Sequence, residues 1–248
     1  MSDSEMIRIP AHLQGYPGVA FGGYVAGVLA GQAAAEHVRV DFRRPAPTEL
    51  PLRLAGTPDG GCALTADETL LAVAVPVGST GAVAGLPEAP SWAEAEAAAE
   101  ACRAAPPDGQ TDCFGCGLDR TPATGLRQHC GPVPGRELVA TAWVPGAELA
   151  ARDGLLPPEL LWGALDCPGN AAGRLLDGRP AGAVTASLRA AVLRPVRAGE
   201  RLVSYSWLLS SAERKYTVGT AVADADGELR AMAEALWVVP RSAVQGRP

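Results

Sequence analysis

Apolar and polar positions along this chain repeat one order twice: a strand, a helix, then further strands. Ile7-Arg-Ile9 alternates as a short strand does, and Gly15-Tyr-Pro-Gly18 after it is turn chemistry. From Val19 small apolar residues take over and predict a helix over about 22–35. Gly23, Gly27 and Gly31 recur at every fourth position and so lie along one side of it. Glycine costs about 1 kcal/mol inside a helix, so the stripe implies close approach to a sheet or a ligand, with sheet packing expected at Gly27 and Gly31. Val38, Val40 and Phe42 then alternate with Arg39, Asp41 and Arg43, a strand with one buried face. Segments 50–54, 62–65 and 70–75 read as three more strands, with turns at Asp59-Gly60-Gly61 and Asp67-Glu68.

The pattern lapses after Val77. Ser91-Trp-Ala-Glu94 matches a capping box and opens an alanine-rich helix to about Ala104, followed by an irregular, cysteine-bearing stretch. The second run starts with a strand at 137–144. Its helix, about 158–176, begins at Pro157-Pro158, where missing N–H groups cost nothing. Strands follow at 184–193, 201–210, 216–223 and 229–239, with Asp224-Ala-Asp-Gly227 as a hairpin-like turn. Both runs carry Arg-Pro after the post-helix strand, as Arg44-Pro45 and Arg194-Pro195. The chain therefore divides into an N-terminal repeat, 1–76, an inter-repeat connection, 77–135, and a C-terminal repeat, 136–248. The class is α+β: two copies of a curved antiparallel sheet, each wrapped around a central helix.

Composition narrows the function. With 48% hydrophobic and 19% charged residues the chain is globular. A net charge of −6 argues against nucleic acid as a partner. Lys215 is the single lysine among 21 basic residues, which fits a coding bias better than a function. No apolar stretch reaches membrane-spanning length, and Met1-Ser-Asp-Ser-Glu5 is acidic where a signal peptide is basic, so the expectation is a cytoplasmic protein with no membrane partner. Six cysteines in 248 residues suggest reduced thiols rather than a disulfide scaffold.

Tyr16-Pro-Gly-Val-Ala-Phe-Gly-Gly-Tyr-Val-Ala-Gly27 resembles the loop and helix start of hotdog-fold acyl-CoA thioesterases, where paired glycines precede the central helix. Thr185-Ala-Ser-Leu-Arg-Ala-Ala-Val-Leu-Arg-Pro195 resembles the post-helix strand of phenylacetate-pathway-type thioesterases. The two-copy layout is similar to the double-hotdog thioesterase II type. That resemblance implies a tandem hotdog acting on acyl-CoA or another acyl thioester, without a cofactor, and dimerisation is common in the fold. Several positions depart from it. Phe21 stands where relatives often have histidine, Ala30 where single-domain relatives often carry the acid, and Pro157-Pro158 near the place of the second glycine pair. The thioesterase II type has Ser or Thr on the second-copy strand near its Asp, and alignment puts Arg189 there.

Thioester hydrolysis needs donors for the developing oxyanion and something to attack the carbonyl carbon. Helix-start N–H groups are unpaired donors at the positive end of the dipole, and Gly22 and Gly23 would let a thioester come close to them. Asp166, a carboxylate inside the second helix, is the candidate nucleophile or general base. Because paired hotdog helices run antiparallel, the resemblance implies one composite site, Gly22 and Gly23 from the first repeat and Asp166 from the second, with the mirror-related site at Pro157-Pro158 and Ala30 dead. The competing reading has Asp166 satisfying backbone freed by a kink at Pro168. Tyr24 joins the glycines as a substrate-binding candidate. Thr185, Ser187 and Arg189 share one strand face by alternation; they could position water or the acyl-CoA arm, with Arg189 pairing with Asp166 or a phosphate, or form a solvated face. Glu234 calls for an arginine partner if buried, and Trp162, Trp207 and Trp237 read as core.

Cys113-Phe-Gly-Cys116 with His129-Cys130 has the residue types of a zinc site, but the second pair is adjacent rather than spaced, and two small buried thiols in a tight turn explain the motif without a metal. Cys167 has no histidine near in sequence and stays outside the mechanism. Among hotdog enzymes the hydratases depend on a histidine, and here only His12, His37 and His129 exist, none in the glycine loop. The alternative to an enzyme is a double hotdog that binds an acyl thioester without cleaving it, or serves as a scaffold.

Overall fold

A computed structural model describes residues 4–35, 37–78, 85–107 and 112–241. Parts of the connection, 79–84 and 108–111, lie outside these residues, as do the first three residues of the acidic N-terminal segment. The first repeat runs β1 (Ser4–Arg8), the two-stranded hairpin β2 (Gln14–Tyr16) and β3 (Val19–Ala20), α1 (Gly22–Gln32), β4 (Val38–Phe42), β5 (Pro51–Gly56), β6 (Cys62–Ala66) and β7 (Thr69–Pro76). The connection supplies α2 (Trp92–Ala104) and β8 (Gly131–Pro132). The second repeat runs β9 (Val139–Trp143), α3 (Pro158–Ala164), α4 (Cys167–Leu176), β10 (Val184–Val192), β11 (Leu202–Ala212), β12 (Lys215–Asp224) and β13 (Leu229–Val238).

All but the small hairpin join one antiparallel sheet, ordered β1-β5-β6-β7-β4-β10-β13-β12-β11-β9-β8. The repeats meet edge to edge at its centre, where Asp41, Val40 and Arg39 of β4 pair with Ser187, Leu188 and Arg189 of β10. Outward from that seam the strands of the two repeats correspond one to one, β7 to β13, β6 to β12 and β5 to β11. The pairing leaves neither repeat with an open inner edge, which would otherwise be a template for aggregation. One apolar core lies between the sheet and the helices α1, α3 and α4, built on residues such as Leu29, Val40, Leu64, Leu161, Leu188 and Trp237. The capping box forms, the Ser91 hydroxyl accepting from the Glu94 N–H while the Glu94 carboxylate accepts from the Ser91 N–H. The buried alanines of α2 then cover the outer face of the second repeat's sheet, against Tyr205, Trp207 and Met232.

Two expectations need correction. The second helix is two helices, α3 and α4, broken at Leu165-Asp166, so Asp166 sits at a joint and not two turns inside a helix. Pro168, in the first turn of α4, has no N–H for the Ala164 carbonyl one turn back, and the helix breaks in that turn; the freed carbonyl accepts from the Ser204 hydroxyl at 3.4 Å, not from the Asp166 side chain. The glycine stripe meets a helix rather than the sheet: Gly23 faces Gly163 and Asp166, Gly27 faces the backbone of Glu159, and Gly31 has nothing within 4 Å. Glu234 is exposed, so it needs no buried partner.

Candidate active site

The joint between α3 and α4 aims the Asp166 side chain at the start of α1. With Asp166 only 2% exposed, both carboxylate oxygens are held: Oδ2 accepts from the Gly23 N–H at 2.8 Å and Oδ1 from the Thr185 hydroxyl at 2.6 Å. Glycine is required at position 23 because a Cβ would lie 2.7 Å from the Gly163 Cα and 2.8 Å from the Asp166 Cβ. At Gly22 a Cβ would stand 3.2 Å from the carboxylate oxygen, inside the space beside it. Burial pushes the Asp166 carboxyl up from the ordinary 3.8 to about 6, against the Thr185 and Gly23 hydrogen bonds that favour the charged form.

Thr185 reaches this position through a bulge. The β10–β13 register pairs Thr185 with Trp237 and Ser187 with Leu236, leaving Ala186 as an extra residue. One inserted residue reverses the alternation, so Thr185 turns to the helix side with Leu188 and Ala190 while Ser187 and Arg189 stay on the other face. The expectation that the three share a face is thus corrected. Arg189 does not pair with Asp166; one of its Nη groups donates to the Gly78 carbonyl at 3.1 Å. The hydroxyl beside the acid is that of Thr185, where alignment alone put Arg189. Tyr24 faces Glu159 instead of the site, and burial with that neighbouring charge raises its pKa.

Asp166 opens onto a largely apolar cavity of about 540 Å³. Gly22, Phe42, Thr185 and Trp237 line it, so Trp237 is wall as well as core. Tyr24, Ser187, Arg189, Pro157, Pro158 and Ala30 do not line it. Sequence reasoning missed several wall residues. The Tyr16 hydroxyl donates to the Ala183 carbonyl at 2.8 Å and burial raises its pKa, so it stays protonated. Asn170 donates to the same carbonyl at 3.4 Å and accepts from Arg174 Nε. Cys113, Cys116 and Cys167 line the cavity too, the first two brought there by the connection. The lone signal for that return was the CxxC itself. His129 takes no part; its Nε2 lies 3.3 Å from the Gly117 carbonyl, and burial lowers its pKa.

Chemically, the arrangement offers a buried carboxylate fixed by two donors, a helix start beside it and an apolar chamber large enough for an acyl group. Among the described residues no helix is long and apolar enough to cross a membrane.

No family model matches the sequence, and no curated protein matches it either. Solved structures do match. A provisionally named thioesterase from Novosphingobium aromaticivorans is 18% identical with a TM-score of 0.64, covering 96% of this chain and 95% of that one. The tesB protein of Mycobacterium avium subspecies paratuberculosis is 15% identical with a TM-score of 0.63, covering 96% and 93%. TesB2 from Mycobacterium marinum, an acyl-CoA thioesterase II, is 13% identical with a TM-score of 0.61, covering 96% and 94%. At these identities the likeness establishes the fold alone: the chain is a double hotdog.

Proposed function

We propose that the protein hydrolyses an acyl thioester, such as an acyl-CoA, in the cavity beside Asp166. The observation that carries this reading is the buried Asp166 carboxylate, clamped between the Gly23 N–H and the Thr185 hydroxyl on the wall of an apolar chamber. An acid serving only the backbone of its own helix joint would not need a donor from the other repeat or face a cavity. Asp166 acts as general base: it takes a proton from a water, whose oxygen attacks the thioester carbonyl carbon. The negative charge developing on the carbonyl oxygen falls at the start of α1. There the Gly22 N–H has no partner within the helix, and the N-cap residue, Phe21, makes no side-chain cap. The C–S bond then breaks, and the departing thiolate takes the proton back from Asp166. Because the Gly23 N–H is already bonded to Asp166, its role is to hold the base, and the oxyanion donor is assigned to Gly22.

The test is thiol release from short, long and aromatic acyl-CoAs by the wild type beside Asp166→Asn and Asp166→Ala. Loss of turnover in both variants, with the fold retained, is expected. A wild type that turns over none of the panel would refute hydrolysis. It would favour the binding or scaffold reading if the same acyl-CoAs still bind.

A further inference from the structure

Three thiols at the same cavity have no part in that hydrolysis. The Sγ atoms of Cys113, Cys116 and Cys167 all lie within 4.8 Å of one another, with Cys113 and Cys167 3.9 Å apart. A disulfide holds its sulfurs about 2.0 Å apart. In a tetrahedral site with zinc–sulfur bonds of about 2.3 Å the sulfurs stand roughly 3.8 Å from one another. The Cys113–Cys167 distance is that of two ligands around an ion, not of a bonded pair.

The surroundings are built for it. The Cys113–Cys116 turn is closed by the Gly117 N–H donating to the Cys113 carbonyl at 2.7 Å. It is pinned from outside, the Phe114 N–H donating to Gln14 and the Leu126 and Gln128 N–H groups donating to the Phe114 and Gly115 carbonyls. Gly115 is forced, since a Cβ there would collide with the Cys167 sulfur and the Phe21 ring. Cys167 stands at the first position of α4 and so brings its sulfur to the turn from another element.

We infer that Cys113, Cys116 and Cys167 bind one zinc ion, with the fourth coordination position open to the cavity. Thiolates select soft transition metals over magnesium or calcium. Three protein ligands plus one exchangeable position is the arrangement of zinc sites that meet small molecules. The third ligand is Cys167, not the His129-Cys130 pair that sequence spacing offered, because neither of those residues joins the cluster. The inference stands apart from the hydrolysis above and can hold if no thioester is cleaved.

The experiment is elemental analysis of the full chain, purified with a reductant and without chelator, followed by exchange to cobalt(II). The expected result is one zinc per chain and, after exchange, an intense thiolate-to-cobalt charge-transfer band with tetrahedral visible absorption. Cys113→Ser, Cys116→Ser and Cys167→Ser should each lose most of the metal, whereas Cys102→Ser, outside the cluster, should keep it. Where a variant fails to fold, the wild-type cobalt spectrum decides alone. Reduced apo-protein that takes up neither metal, or a native protein with two of these thiols joined as a disulfide, would overturn the site. A visible cobalt band that added azide leaves unshifted would overturn the open fourth position.

Discussion

Gly27→Ala is the substitution that most directly tests how the two repeats are held together. Two effects oppose each other. Replacing glycine by alanine in a helix interior gains about 1 kcal/mol of propensity. Against this, the new Cβ would lie 2.7 Å from the Glu159 Cβ and closer still to its Cα, where ordinary contact is 3.4–4 Å. The obstruction is backbone, which no rotamer change relieves, so α1 and α3 must part. Overpacking of this kind costs about 1–3 kcal/mol, and a backbone clash belongs at the upper end. The net expectation is a destabilisation of about 2 kcal/mol, a fall in Tm of roughly 4–8 °C for a chain of this size. Gly31→Ala is the internal control: with nothing within 4 Å of its Cβ, only the propensity gain remains, and the variant should be as stable as wild type or up to about 1 kcal/mol more so. Parting the helices also draws the Gly23 N–H away from Asp166, so Gly27→Ala should lose thioester turnover while Gly31→Ala keeps it. Urea denaturation of the three proteins and thiol-release assays on the same preparations give both readouts. Gly27→Ala at wild-type stability would refute the close-approach argument.

Asp166→Asn should separate stability from activity. The folded carboxyl is raised from 3.8 to about 6, so its stabilising share is complete below about pH 4 and is lost as pH rises through about 6, a cost on the order of 3 kcal/mol at neutral pH. Asparagine can accept from the Gly23 N–H and donate to the Thr185 oxygen, so the inactive variant should resist urea better than wild type at pH 8 and no better at pH 3.5; equal midpoints at pH 8 would count against the buried charge. Wild-type turnover should rise with pH through about 6 as the base ionises. Thr185→Val removes a hydrogen bond that favours the carboxylate, so that limb should move to higher pH, and an unmoved limb would show that Thr185 does not act on Asp166.

The strand and helix periods, the repeated Arg-Pro and the capping box were legible because they are local, set by side-chain alternation and by which N–H groups a helix start leaves unpaired. Gly22, Gly23 and Asp166 could be singled out as residue types, and the resemblance to paired hotdogs implied that they meet. What residue order does not encode is the accumulated parity of a sheet and the path of a long connection. A single extra residue at Ala186 turns Thr185 inward and leaves Ser187 and Arg189 outside, and alternation counted along the chain cannot register an insertion whose evidence is the partner strand. The break at Leu165-Asp166 falls in the turn that Pro168 interrupts, which is local, whereas the helix directions on either side of it go with the packing of α3 on α1 and of α4 on β11. The Cys113–Cys116 turn shows the same division. Its spacing is written in the sequence, but its third sulfur, Cys167, lies 51 residues beyond Cys116 and reaches it only because the connection folds back over the start of α4.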